Sequence, residues 1–200
     1  MSFEQLNKRD QIDTLKQMVC CLRDRTQGVY RSQYVPAGSA IPRTTNGASD
    51  LASVELVTND IMIDVRDFDP ATEEAVGFWT TFGDHWDGGT IKVKLEWTAT
   101  GASTFDVVWG VSGRNYADDD PLDAALGTEV EVTDTLTAND DFDVTDATAA
   151  ITLAGAAGDS VYIQIARKAA DGADTLDVDA RLKAVHIQYK ESGDVVTLWA

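Results

Sequence analysis

Cysteine is nearly missing from this 200-residue chain: Cys20 and Cys21 are the only two, and they are neighbours. Adjacent cysteines cannot close a loop, so no disulfide framework supports the fold. Apolar runs fall well short of the roughly 18–20 residues that a bilayer span needs, so no transmembrane helix and no membrane partner are expected. The N-terminal stretch MSFEQLNKRDQIDTLKQ is charged throughout and does not read as a secretory signal. Histidine is limited to His85 and His186, too few and too far apart for the closely spaced ligands of a zinc site. No G-x-S-x-G, G-x-x-x-x-G-K-[ST] or G-x-G-x-x-G occurs, which leaves nucleophile-elbow and nucleotide readings without support. Neither a cofactor nor a catalytic residue is assigned. What the chain does have is 44% hydrophobic residues, enough for a core and too many for wholesale disorder.

Basic residues are scarce in one part only. Residues 1–47 carry seven basic and four acidic side chains, a net of +3, whereas residues 48–200 carry nine basic and thirty acidic ones, a net of −21. A body so acidic repels phosphate backbones, so no nucleic-acid partner is expected. The basic leader, with Arg23, Arg25, Arg31 and Arg43, suits docking onto an acidic surface, including that of a neighbouring copy.

Periodicity divides the chain into two regimes. From Phe3 to about Thr26 there is no Pro or Gly, and Ile12, Leu15, Val19 and Leu22 fall at 3-4-3 spacing, the narrow stripe of a self-associating helix. Residues 1–28 are therefore expected to form an anchoring or oligomerising helix ended by Gly28. Residues 29–50, with two of the four prolines and two glycines, read as an extended linker arm without a core of its own. From Leu51 onward the period becomes two: Ile91, Val93, Leu95 and Trp97 alternate with Lys92, Lys94 and Glu96, and Phe105, Val107, Trp109 and Val111 share one face. Leu182 is out of phase with Val185, Ile187 and Tyr189, which predicts a bulge at Lys183–Ala184. Eight to ten such strands with turn signals between them give an all-β fold. The expected architecture is an antiparallel, jelly-roll-like β-sandwich over residues 51–200, preceded by the helix and arm.

Candidate sites are sparse. Acid runs such as Asp118-Asp119-Asp120 offer the oxygens calcium takes, but none has EF-hand spacing, and thirty acids produce such runs readily, so no metal is assigned. Trp97 and Trp109 are in phase with core residues. Trp79 is out of phase with Val76 and Phe78, Trp86 falls in a turn and Trp199 is penultimate, so these three are the candidates for an exposed aromatic interface or glycan contact.

The stretches Trp86-Asp87-Gly88-Gly89-Thr90-Ile91, Glu96-Trp97-Thr98-Ala99 and Val107-Val108-Trp109-Gly110-Val111 precede a second set. That set is Ala173-Asp174-Thr175-Leu176, Asp179-Ala180-Arg181-Leu182 and Val185-His186-Ile187-Gln188-Tyr189. Together they resemble tailed-bacteriophage virion structural proteins of the head decoration or head-fibre type. That resemblance implies a non-enzymatic structural role in the virion, after assembly in the host cytoplasm. The partners it implies are the chain itself, as a homotrimer, and other virion proteins such as the major capsid protein. The alternative it leaves open is a tail-fibre or receptor-binding module recognising host surface polysaccharide.

Overall fold

The computed structural model describes residues 8–101 and 105–192, with the side chains of residues 20–27 outside the description. Helix α1 (Lys8–Gln27) comes first and carries no Gly or Pro. It ends at Gly28, whose φ of +67° is the left-handed stop that glycine adopts without a Cβ penalty. Ile12, Leu15, Met18 and Val19 are all at least half exposed, so the apolar stripe of α1 is not buried in the body.

Among the described residues twelve strands follow: β1 (Val29–Pro36), β2 (Ile41–Pro42), β3 (Ala52–Leu56), β4 (Ile61–Phe68), β5 (Glu74–Thr81) and β6 (Thr90–Thr98), then β7 (Asp106–Tyr116), β8 (Val130–Thr135), β9 (Asp143–Val144), β10 (Ile151–Thr152), β11 (Ser160–Arg167) and β12 (Ala180–Glu191). Their pairing is antiparallel throughout. One sheet runs β10-β6-β12-β4-β3, with β1 also on β12 and β9 on β6; the other runs β2-β5-β11-β7-β8. The fold is the all-β, jelly-roll-like sandwich that the two-residue alternation indicates.

Period two decides which side chains meet between the sheets. Ile91, Val93, Leu95 and Trp97 of β6 face Val107, Trp109 and Val111 of β7 and Ile163 and Ile165 of β11, and all of these are buried. The fully buried Trp97 and Trp109 rings span the two sheets edge-on, 6.3 Å between centroids, and Phe68 of β4 meets Trp109 at 5.1 Å. The register of β12 against β6 shifts between Leu182 and Ala184. This bulge lets both Leu182 and Val185 point inward and turns Lys183 out.

The expectation of a coreless arm at 29–50 is corrected here. Strand β1 pairs with β12 over its whole length, from Val29↔Glu191 to Pro36↔Ala184, and Val35, Ala37, Ala40 and Ala48 are buried. The segment is extended, but it is part of the sandwich.

The motif residues of the sequence prove to be devices of the fold. Arg167 of β11, fully buried, forms a two-pronged pair with Asp174: Nη2 donates to Oδ1 at 2.8 Å and Nε to Oδ2 at 3.1 Å. Its remaining donors reach the carbonyl oxygens of Phe68, Val178 and Leu176. Asp174 also accepts from the Val108 N–H, and Thr175 Oγ1 from the Asp106 N–H. One buried cation thus ties the 173–178 loop to both sheets, and its charge is tolerated because every neighbour is an acceptor. At the other end, Asp87 Oδ1 accepts from the Gly89 N–H, and the Gly155 N–H donates to the Gly88 carbonyl. A Cβ on Gly155 would lie 2.9 Å from the Trp86 ring.

Candidate functional site

The outward residues of β5, β7 and β11 converge on an aromatic cluster. Tyr162 stands directly opposite Trp79 in the β11–β5 register, and Ser160 opposite Tyr116 in the β11–β7 register, so all three rings lie on the outer side of the five-stranded sheet, although Tyr116 is only 7% exposed. Trp79 is 49% exposed, an unusual state for so large an apolar ring. Its centroid lies 4.9 Å from Tyr116 and 5.2 Å from Tyr162, with interplanar angles of 55° and 58°. Space for this packing comes from Gly77, where a Cβ would fall 1.8 Å from Tyr162 Oη.

Each ring is held. Tyr116 Oη donates to the Leu122 carbonyl, and the Arg114 guanidinium sits 5.4 Å from the Tyr116 centroid while donating to the Ala125 carbonyl. Burial pushes the Tyr162 hydroxyl above the ordinary tyrosine range, partly offset by the Arg43 charge. It therefore stays a neutral donor at physiological pH. Beside the rings lies a cleft of about 610 Å³ whose lining includes Asp118, Leu122, Asp159 and Ser160. Asp159 is fixed by the Ala156 N–H and the Asn115 amide. The arrangement offers the exposed Trp79 ring for stacking, bordered by hydroxyl and carboxylate groups. Among the described residues no cluster of His, Cys, Asp or Glu is placed to hold a metal.

The residues singled out from sequence are dispersed. Trp79 lies in the cluster. Trp86 is corrected: it is 3% exposed, packed on Phe82 at 5.0 Å and closed over by Gly155, so it cannot serve as a contact surface. Trp199 and the side chains of Leu22, Arg23 and Arg25 lie outside the described residues. Arg31 Nε pairs with Glu191 Oε2 at 2.8 Å and so fastens β1 to β12, whereas Arg43 makes only a local contact with the Asn46 carbonyl. Tyr116 and Tyr162 were not singled out. The signal for Tyr162 was present, since it alternates with the inward Val161 and Ile163 just as Trp79 does with Phe78.

No protein family and no curated protein matches the sequence. Solved structures do match in shape. A family 35 carbohydrate-binding module of Cellvibrio japonicus Abf62 is 11% identical, with a TM-score of 0.46 over 78% of this chain and 92% of that one. The CBM22-2 xylan-binding domain of Paenibacillus barcinonensis Xyn10C is 14% identical, with a TM-score of 0.47 over 78% and 98%. An isomalto-dextranase of Arthrobacter globiformis T6 is 19% identical with a TM-score of 0.47, and 78% of this chain spans only 23% of that enzyme. The resemblance to phage virion proteins is corrected: the matching structures named are carbohydrate-binding modules and an enzyme that acts on a glycan, not capsid or fibre proteins. Arg167–Asp174 and the Trp86 turn explain why the quoted motifs misled, since residues that lock a sandwich carry no information about what its surface meets.

Proposed function

We propose that this chain is a non-catalytic carbohydrate-binding module that holds a neutral polysaccharide on a platform formed by Trp79, backed by Tyr116 and Tyr162. The single observation that carries the reading is that platform: a half-exposed Trp packed on two tyrosines at an outer sheet face, beside a cleft. A pyranose ring presents C–H groups on one face and hydroxyls around its rim. The C–H face suits the negative quadrupole of an indole or phenol ring, and the hydroxyls suit Asp118, Asp159 and Ser160. Structures of similar shape include a xylan-binding domain, a module in complex with galactotriose and one for mannan recognition, and those polymers are the first ligands to test.

The exposed stripe of α1 adds a second part to the reading: copies joined through Ile12, Leu15 and Val19 would present several platforms at once. Linked sites gain avidity without any new contact to ligand, which suits a weak, repetitive ligand such as a polysaccharide. Affinity electrophoresis through gels containing xylan, mannan or galactan tests the platform. Retardation by at least one of them is expected, with loss of roughly tenfold or more in affinity for Trp79→Ala. Equal retardation of wild type and variant would show that sugars bind elsewhere.

A further inference from the structure

The opposite face of the sandwich carries a different surface. On the solvent side of the seven-stranded sheet, outward residues of β6, β12 and β1 form a groove of about 340 Å³, lined by Lys92, Lys94, Glu96, His186, Gln188 and Ser32, with Val144 and Ala147 as an apolar wall. That volume is at the lower end of small-molecule sites. Tyr34 flanks the groove, its ring edge-on to His186 at 5.1 Å.

Glu96 is the only acid in the lining, and it is already committed. Lys183 Nζ donates to its Oε2 at 2.6 Å, and His186 Nε2 lies 2.5 Å from its Oε1. Burial alone would raise the Glu96 carboxyl, but the hydrogen bonds and charge of Lys183 and His186 outweigh it and hold the group below the usual carboxylate range. Lys183 also reaches Tyr34 Oη at 3.3 Å and lies 5.2 Å from the Phe142 ring centroid. The two lysines beyond this knot are unspent: Lys92 and Lys94 are exposed and make no ion pair among the described residues. Arg167, Lys168 and Arg181, by contrast, are each paired with acids of the body itself. On a body of net −21, a groove with two ammonium groups that have no ion pair among the described residues, and no free acid in its lining, is an anomaly of charge placement.

We infer that this groove is a second ligand site, taking the carboxylate of a hexuronate residue carried singly on an otherwise neutral glycan. Lys92 and Lys94 supply charge-assisted hydrogen bonds to the carboxylate, Gln188 and Ser32 meet hydroxyls, and Val144 and Ala147 meet the C–H face. The charge of the whole body decides against a densely charged polyanion, which would be repelled outside the groove, and in favour of isolated carboxylates. The choice of a sugar as carrier rests on the glycan-binding reading above; the lysine groove itself does not.

The test is an NMR titration of the full chain with methyl glucuronoside and methyl galacturonoside, with methyl glucoside as the neutral control. Saturable shifts are expected at the backbone amides of Lys92, Lys94 and Gln188 for at least one uronoside and none there for the glucoside. The Lys92→Gln/Lys94→Gln double variant, altered only at exposed positions, should weaken uronoside binding roughly tenfold or more, with an unchanged melting temperature. Added salt should weaken the wild type more than the variant. Trp79→Ala should leave uronoside binding intact; if uronosides bind with the lysines while no neutral polysaccharide binds the platform, the groove stands and the platform reading fails. The inference is overturned if neither uronoside binds, if binding survives in the lysine variant, or if Trp79→Ala abolishes it. It is equally overturned if the uronosides are silent and the lysine variant instead changes sedimentation, because the groove then meets a second copy.

Discussion

Arg167 and Lys183 make the same kind of bond in opposite settings. The Arg167–Asp174 pair is sealed, 0% and 1% exposed, and every remaining donor of the guanidinium goes to a backbone carbonyl. The Lys183–Glu96 pair is 31% and 11% exposed and opens on a groove where two more lysines have no ion pair among the described residues. A sealed pair can only hold the fold, because no ligand can reach it. An open pair with uncommitted neighbours leaves charge available to something outside. Ion pairs in the body are thus sorted by access rather than by chemistry.

The sharpest way to break this comparison is Asp174→Ala. With Arg167 left uncompensated in the interior, destabilisation of about 3–5 kcal/mol is predicted, read by urea unfolding. A loss under about 1 kcal/mol would mean that Arg167 is not locked as described. Lys183→Met is predicted to cost less, about 1–2 kcal/mol at pH 7, because water reaches that pair and screens it. The sign with pH follows from Glu96. Its folded value lies below its unfolded value, so its stabilising contribution is full above the ordinary carboxylate range and is lost as pH falls through the folded value. Without Lys183 the strongest hydrogen bond opposing burial is gone and that contribution shrinks, so the gap between variant and wild type should narrow as the pH is lowered toward 4. A gap that stays constant from pH 7 to pH 4 would rule out Glu96 as its source.

Two further variants sharpen the contrast from the surface side. Trp79→Ala should cost about 1 kcal/mol, the worth of its two ring contacts, while abolishing retention by neutral polysaccharide. A large fall in melting temperature would instead make Trp79 a packing residue. Leu15→Asp should leave the unfolding transition of the sandwich unchanged and reduce any oligomer to monomer, since Leu15 is half exposed on α1. An unaltered sedimentation coefficient would count against the helix as the joining element.

Much of the fold was legible because period two leaves little freedom. Ile91 to Trp97 announces its buried face, and the phase break before Val185 announces the bulge that the β12–β6 register contains. Strand β1 was illegible because Pro36, Gly38 and Pro42 give its neighbourhood a loop composition, and its partner lies some 150 residues away in β12. Trp86 was misjudged for the same reason: local sequence shows a turn, but Gly155, far along the chain, closes over the ring. The site was half legible. Outward phase marked Trp79, whereas its joining with Tyr116 and Tyr162 depends on β5 and β7 both flanking β11, which only the sheet order reveals.

Gly28 passes the chain from α1 straight into β1, and that junction has a mechanical consequence. If α1 fixes the molecule to its neighbours and a ligand grips a sheet face, tension between the two must travel through β1. A pull along the strand axis loads the eight registered positions from Val29 to Pro36 side by side, in shear, whereas a pull across the sheet would peel them one at a time. The strand that borders the lysine groove would then also be the tether's bearing surface, and its rupture force would depend on the direction from which the load arrives.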